Sequence, residues 1–192
     1  MNFKKHTFTL SLILLIFSAS FFSHAQKTYK MNGPTKFEVL GTSTLKDWEM
    51  DSEKGDGTAK ISVKNGKISS IEDLNVSVRG KSLKSGSSGM DKNAHEALKV
   101  DKHPVIRFNM KDVLSYKSKS MRIRGDLTIA GVTRSKTFDV KVKNSDQSLV
   151  FYGDLDVTFS EFNMEPPTAM WGSIKTGNDL KLNFYTAFKP IQ

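Results

Sequence analysis

Apolar and polar residues alternate with a period of two along most of this chain. In one stretch Leu127 and Ile129 alternate with Asp126 and Thr128, and Gly131 sits at a break. Phe138, Val140 and Val142 then alternate with Asp139, Lys141 and Lys143. Successive side chains of a strand point to opposite faces, so this pattern places one face in a core and the other in water. Two antiparallel strands joined by a tight turn are predicted. The same alternation recurs at Ala59, Ile61 and Val63, ending at Asn65-Gly66, a pair suited to a two-residue hairpin. It returns at Leu74, Val76 and Val78, at Ile106, Phe108 and Met110, from Met121 to Ile129, from Leu149 to Phe159, and from Leu180 to Phe188. Near the start, Tyr29–Met31 and Phe37–Leu40 read as two strands broken by Asn32-Gly33-Pro34. Thr42–Trp48 reads as a polar interlude with a helical turn.

One segment departs from period two. Met90, Ala94 and Leu98 recur at helical spacing, Ser88 or Asp91 can cap the start, and Pro104 follows the end. A short amphipathic helix over about Met90–Lys99 is expected to lie on the sheet as a lid or plug. The Ser- and Gly-rich stretch Ser82–Gly89 before it is expected to be mobile. The chain therefore reads as all-β, with about eight antiparallel strands and one or two short helices in one domain. Gly125 and Gly153 fall on the inward faces of long strands, where a closing sheet needs room. That favours a barrel over a sandwich, and a barrel of about eight strands either fills itself or holds one small ligand.

Residues 1–25 read as an export signal. Lys4, Lys5 and His6 precede an apolar run from Phe8 to Phe17, and Ser23-His24-Ala25 suits cleavage before Gln26. Residues 26–192 then form the folded domain, in the periplasm or secreted. Losing Lys4 and Lys5 takes the formal charge from +9 to +7. The lysines are scattered singly through the strands, which argues against nucleic acid, whose binding needs a stripe or patch. A basic exterior suits peripheral contact with anionic membrane surfaces. With no cysteine in the chain, packing alone must hold the fold.

Catalytic chemistry finds little support. His95 and His103 lie outside any metal-ligand spacing and read as surface histidines. Glu161 and Glu165 have no acid–base partner in the pattern, and no nucleophile elbow, phosphate loop or dinucleotide fingerprint is present. The aromatic and methionine set carries more. Trp48, Phe162, Met164, Met170 and Trp171 fall in irregular segments, while Phe108, Met110, Phe151, Phe159 and Phe184 fall on inward faces. Each singly is as well explained as core. Together, beside Pro166-Pro167, they form the candidate lining of a cavity for a flexible apolar guest. Burying each methylene contributes about 0.8 kcal/mol. A chain of roughly fifteen therefore binds at micromolar strength or better even after half the gain is lost to immobilisation.

The stretch Gly125-Asp-Leu-Thr-Ile-Ala-Gly-Val-Thr-Arg134 resembles the "G-x-L-T-[IL]-x-G-V-T-[RK]" segment of YceI-like proteins. His103-Pro-Val-Ile-Arg-Phe108 is similar to their "[YH]-P-x-I-x-F" strand, and Lys36–Val39 and Gly172–Leu182 fit the same order. The resemblance implies an extended lipocalin-like antiparallel barrel that holds a long-chain amphiphile non-covalently, such as a polyisoprenoid, a polyprenyl quinone or a fatty-acid derivative. It implies no other cofactor and no metal. Ser85–Leu98 lacks the arginine of the family's usual approach to the helix, and Gly33-Pro34-Thr35 replaces its early His-Ser pair, so no polar head-group contact carries over. A homodimer is compatible with such a barrel. Two other readings compete: a periplasmic enzyme or accessory acting on a lipid-like substrate, and a solid-core adhesion or scaffold module.

Overall fold

A computed structural model describes residues 26–191 apart from 65, 118, 146 and 147. The expected export signal and Asn65 lie outside the described residues. The strands are β1 (Lys27–Ser43), β2 (Trp48–Ser52), β3 (Asp56–Lys64), β4 (Lys67–Arg79), β5 (Val105–Lys117), β6 (Ser120–Ile129), β7 (Val132–Ser145), β8 (Ser148–Thr158), β9 (Thr168–Ala169) and β10 (Ile174–Pro190). The helix α1 spans Ser88–Ala97. The alternating segments pair as antiparallel neighbours in chain order, and β1 also pairs with β10. That pairing closes the sheet into an eight-stranded barrel in which β2 and β3 together make one position.

Two expectations near the N-terminus are corrected. Tyr29–Met31 and Phe37–Leu40 belong to one strand of 17 residues, β1. The Asn32-Gly33-Pro34 interruption survives as a bulge, since Met31 pairs with Phe188 but the next partners are Thr35 and Thr186. Gly33 takes φ 141°, a conformation open to glycine, and this lets the strand continue past Pro34. The interlude after Thr42 holds no helical turn. Ser43 Oγ accepts from the Leu45 and Lys46 amides at 3.2 and 3.1 Å, which makes a tight reversal into β2.

The hairpin between β6 and β7 follows the alternation that predicted it. Pairing runs from Ser120↔Lys141 to Ile129↔Val132 around Ala130 and Gly131, at φ 50° and 81°. A turn with both central residues left-handed matches the twist of its strands. Gly131 is doubly constrained, because a Cβ there would sit 2.5 Å from the His103 ring.

The two ends of the barrel differ. The end carrying the β3–β4 and β5–β6 reversals is packed solid by residues including Tyr29, Ile61, Ile71, Met121, Ile123 and Phe188. The other end carries the β1–β2 reversal, α1, the β6–β7 turn and the segment after β8. There β7 and β8 part, pairing only over Lys141–Ser145 and Ser148–Tyr152. The turn Ser160–Phe162 packs against both strands and buries Phe162 completely. Lys136 Nζ meets Glu161 Oε1 at 2.9 Å, and the Thr158 amide donates to Glu161 Oε2 at 2.8 Å, fixing the turn in place.

Gly131→Ala is expected to cost about 1–2 kcal/mol from the left-handed backbone alone, with more from the displaced His103 ring. A thermal melt checks this, and the expected fall is several degrees. An unchanged melting temperature would show that the turn relaxes freely.

Candidate ligand-binding site

The inward faces of the strands do not fill the barrel. Between the packed end and the helical end lies a cavity of about 1140 Å³. Its walls carry Phe37, Val39, Val76, Val78, Ile106, Leu127, Ile129, Leu155 and Leu182. Phe108, Phe138 and Phe184 form its floor, resting on the packed cluster beneath. Phe138 meets Phe108 edge-on at 5.2 Å between centroids and Phe184 at 5.9 Å. The inward glycines explain the floor. A Cβ on Gly125 would lie 2.5 Å from the Phe108 ring, and one on Gly153 3.1 Å from the Phe184 ring. Each glycine leaves the space a phenyl ring occupies. Among the lining residues the charged ones are Glu38, Lys46 and Lys92. Glu38 is engaged by Lys36 and by Asn183 Nδ2.

The helix α1 covers part of the open end. Met90, Ala94 and Leu98 line the cavity, as the helical spacing predicted, with Ala97 beside them, and no helix residue is fully buried. Polar contacts hold it. The amide and hydroxyl of Ser85 both donate to Asp91 Oδ1 at 2.8 Å, and Lys84 Nζ lies 3.2 Å from Oδ2. The Lys84 and Asp51 backbones exchange hydrogen bonds of 2.9 and 2.8 Å. His95 Nε2 donates to Leu83 O at 3.1 Å, and Lys99 Nζ to Asn163 O at 3.3 Å. Ser82–Gly89, expected to be mobile, is thus tied down at both the barrel and the helix. Burial alone would raise the Asp91 pKa, but the Ser85 and Lys84 bonds outweigh it and hold the carboxyl below its usual range. Glu161 shows the same balance, with burial opposed by Lys136 and the Thr158 amide and a net lowering.

The β1–β2 reversal and the β9–β10 hairpin, which contribute Leu45, Met170 and Trp171 to the lining, form one rim of the mouth. The Thr44 amide donates to Lys175 O at 2.9 Å, and the Lys175 amide to Thr44 Oγ1 at 3.1 Å, so the two loops are fastened side by side. At the hairpin tip Met170, Trp171 and Gly172 all have positive φ, at 51°, 58° and 86°. The Ser173 amide donates to Met170 O at 3.1 Å across this turn.

Of the candidate lining residues, Trp48, Phe108, Phe151, Phe159, Met164, Met170, Trp171 and Phe184 lie on the cavity wall or at its mouth. Met110 and Phe162 do not. Met110 sits two residues further along β5, inside the packed cluster, and Phe162 plugs the gap between β7 and β8. Trp48 lies across Gly41 and donates from Nε1 to Thr42 O at 2.9 Å. The wall residues named above, together with Phe138 and Ala97, were absent from the candidate set, although their alternation marked most of them as inward. His103 packs on Gly131 and His95 holds the lid, while Glu161 has structural partners and Glu165 is exposed. Among the described residues no three His, Asp or Glu side chains gather as a metal site. No described helix is long and apolar enough to cross a membrane. The open volume is at odds with a solid-core module.

A model of the YceI-like domain matches residues 18–188. The chain belongs to the YceI-like family. Similar solved structures include BcnA of Burkholderia cenocepacia, at 16% identity and TM-score 0.66, with 80% of this chain and 95% of that one covered. A polyisoprenoid-binding domain from Saccharophagus degradans implicated in plant cell wall breakdown aligns at 10% identity and TM-score 0.67, covering 85% and 98%. The YceI protein of Campylobacter jejuni aligns at 20% identity and TM-score 0.56, covering 72% and 85%. No curated protein matches the chain in sequence. The shared fold accounts for the barrel and its inward apolar faces; the wall residues are this chain's own.

The lowered pKa values of Asp91, which anchors α1, and of Glu161, which anchors the Ser160–Phe162 turn, give a signed expectation for each of these two elements. Their contribution is full above the unfolded carboxylate range, about pH 4, and is lost as pH falls through the lower folded values. Protection of the α1 amides, taken relative to the intrinsic exchange rate at each pH, should therefore fall below about pH 4 before the barrel melts. Asp91→Asn should produce faster exchange already at neutral pH. Exchange in α1 that stays coupled to global unfolding at every pH would contradict this.

Proposed function

We propose that the protein is an exported carrier that holds the apolar chain of a long-chain amphiphile in its barrel. The observation that carries this reading is the 1140 Å³ cavity, apolar in wall and floor and covered by an amphipathic helix. Drug-sized pockets run to about 1,000 Å³, so the volume suits a larger or longer guest. Of the polar lining groups, Glu38, Asn183 and Thr186 are engaged with protein partners, while Lys46, Lys92 and Asn93 lie at the helical end. Recognition therefore falls mainly on the chain, through desolvation. The polyisoprenoid-binding neighbour of the same fold supports a polyisoprenoid or a similarly long lipid as the class. The family and that neighbour favour binding over catalysis. The charged run and apolar stretch of residues 1–25 support export, with transport, storage or protection of the lipid as the use.

Native mass spectrometry of protein purified without detergent tests the reading. A discrete extra mass, released on denaturation and identified as a lipid, is expected. Protein that stays empty after incubation with polyprenyl and fatty-amide mixtures would overturn it.

Filling the cavity gives an independent check. Leu182→Trp adds bulk at the wall opposite β1 and should weaken binding of an apolar fluorescent dye by about tenfold or more. The melting temperature should move little, because the added ring enters open space. Undiminished dye binding would place the guest elsewhere.

A further inference from the structure

We propose that the cavity mouth is a docking surface for an anionic lipid bilayer, with the Met170–Trp171 tip and Leu45 as the inserting edge. Leu45 is 68% exposed, Met170 is 70% exposed and Trp171 is fully exposed, and all three line the mouth. They are held out rather than left loose. Ser43 Oγ shapes the Leu45 loop, and Thr44 clamps that loop to the hairpin through Lys175. Trp171 stands at φ 58°, in a left-handed turn that only a fixed hairpin imposes on a bulky residue.

The charge beside this edge selects the partner. Lys46 and Lys92 line the mouth, and Lys175 follows the tip on β10. Lys92 has a loose exposed partner in Glu96 at 3.9 Å, while the lining acid Glu38 is engaged by Lys36 and Asn183. The mouth thus offers apolar side chains, an indole and amines on one rim. Indole rings favour the headgroup level of a bilayer, and lysines favour its anionic surface. Without Lys4 and Lys5 the formal charge falls from +9 to +7, and this net positive charge reinforces the second preference. A membrane seated on this rim lets an apolar chain pass into the cavity without crossing water. This inference deepens the carrier reading and rests on it for its purpose, though the surface itself is separately measurable.

Flotation of the full protein with phosphatidylethanolamine–phosphatidylglycerol vesicles tests the surface, with phosphatidylcholine vesicles as comparison. Binding to the anionic vesicles is expected, weakened by salt. Leu45→Ser/Met170→Ser/Trp171→Ser should lose about tenfold or more in vesicle affinity. Leu114→Ser, which removes an exposed apolar residue of β5 away from the mouth, should lose none. With the unaltered chain, brominated phosphatidylglycerol should quench tryptophan emission, and Trp171→Phe should abolish most of that quenching. No flotation, equal flotation with phosphatidylcholine, or flotation indifferent to the triple substitution would overturn the proposal. So would a dimer in sedimentation that Trp171→Ser dissociates, since a second copy would then cover the rim. A lipid released in mass spectrometry without flotation removes the docking surface and leaves the carrier. Flotation by a protein that takes up no lipid does the reverse.

Discussion

Everything in this molecule depends on the seam between β1 and β10. The chain has no cysteine, so no covalent staple closes the sheet. Closure comes from paired backbones along two strands of 17 residues each. Joining first strand to last removes the exposed edges that an open sheet would present. It also fixes which side chains enter the barrel. Phe37 opposes Phe184 and Val39 opposes Leu182, and all four face the cavity. A slip of one residue would turn these side chains to solvent and bring the exposed Lys36 and Lys181 inside. Enclosure and lining are thus set by one register.

The cavity persists because the frame around it is satisfied without it. Strand pairing fulfils the backbone except where β7 and β8 part, and the packed end supplies a continuous core from Tyr29 to Phe188. Above that core the glycines at 125 and 153 let Phe108 and Phe184 lie close to the sheet instead of standing into the space. Larger residues there would push the rings upward and shrink the volume. The empty wall lacks dispersion partners, and a flexible apolar guest restores them. The same residues that would be ordinary core in a filled barrel therefore become a binding surface in an incompletely filled one.

That distinction limits what the sequence can disclose. Alternation gave the hairpins, the inward faces, Gly131 at its turn and the apolar stripe of α1, because each depends on local backbone geometry. Whether an inward residue touches a neighbour or open space depends on its height along the barrel axis. Phe108 and Met110 share a face of β5, yet one forms the cavity floor and the other lies in the core beneath. Phe162, in an irregular segment, resembled a mouth residue and instead fills the gap where β7 and β8 part. Asn32-Gly33-Pro34 resembled a break because its residue types are turn formers, but pairing with β10 on both sides carries the strand through as a bulge. Ser82–Gly89 had the composition of a loose linker. Its order comes from partners distant in sequence, the Asp51 backbone and His95, and from Asp91, whose partners include Lys84, seven residues earlier.

The lid shows how binding and stability can be kept apart. Most of the fold's cohesion lies in strand pairing and the packed end, to which α1 contributes no fully buried residue. Its anchors are a carboxylate, an imidazole and a lysine, all at the rim. Part-buried polar contacts of this kind each contribute only modestly, which favours local opening of the helix over opening of the barrel. Local opening can then admit a chain while the β1–β10 seam stays closed. A lid held by apolar burial would have coupled access to the core, and every entry of a guest would have drawn on the stability of the barrel itself.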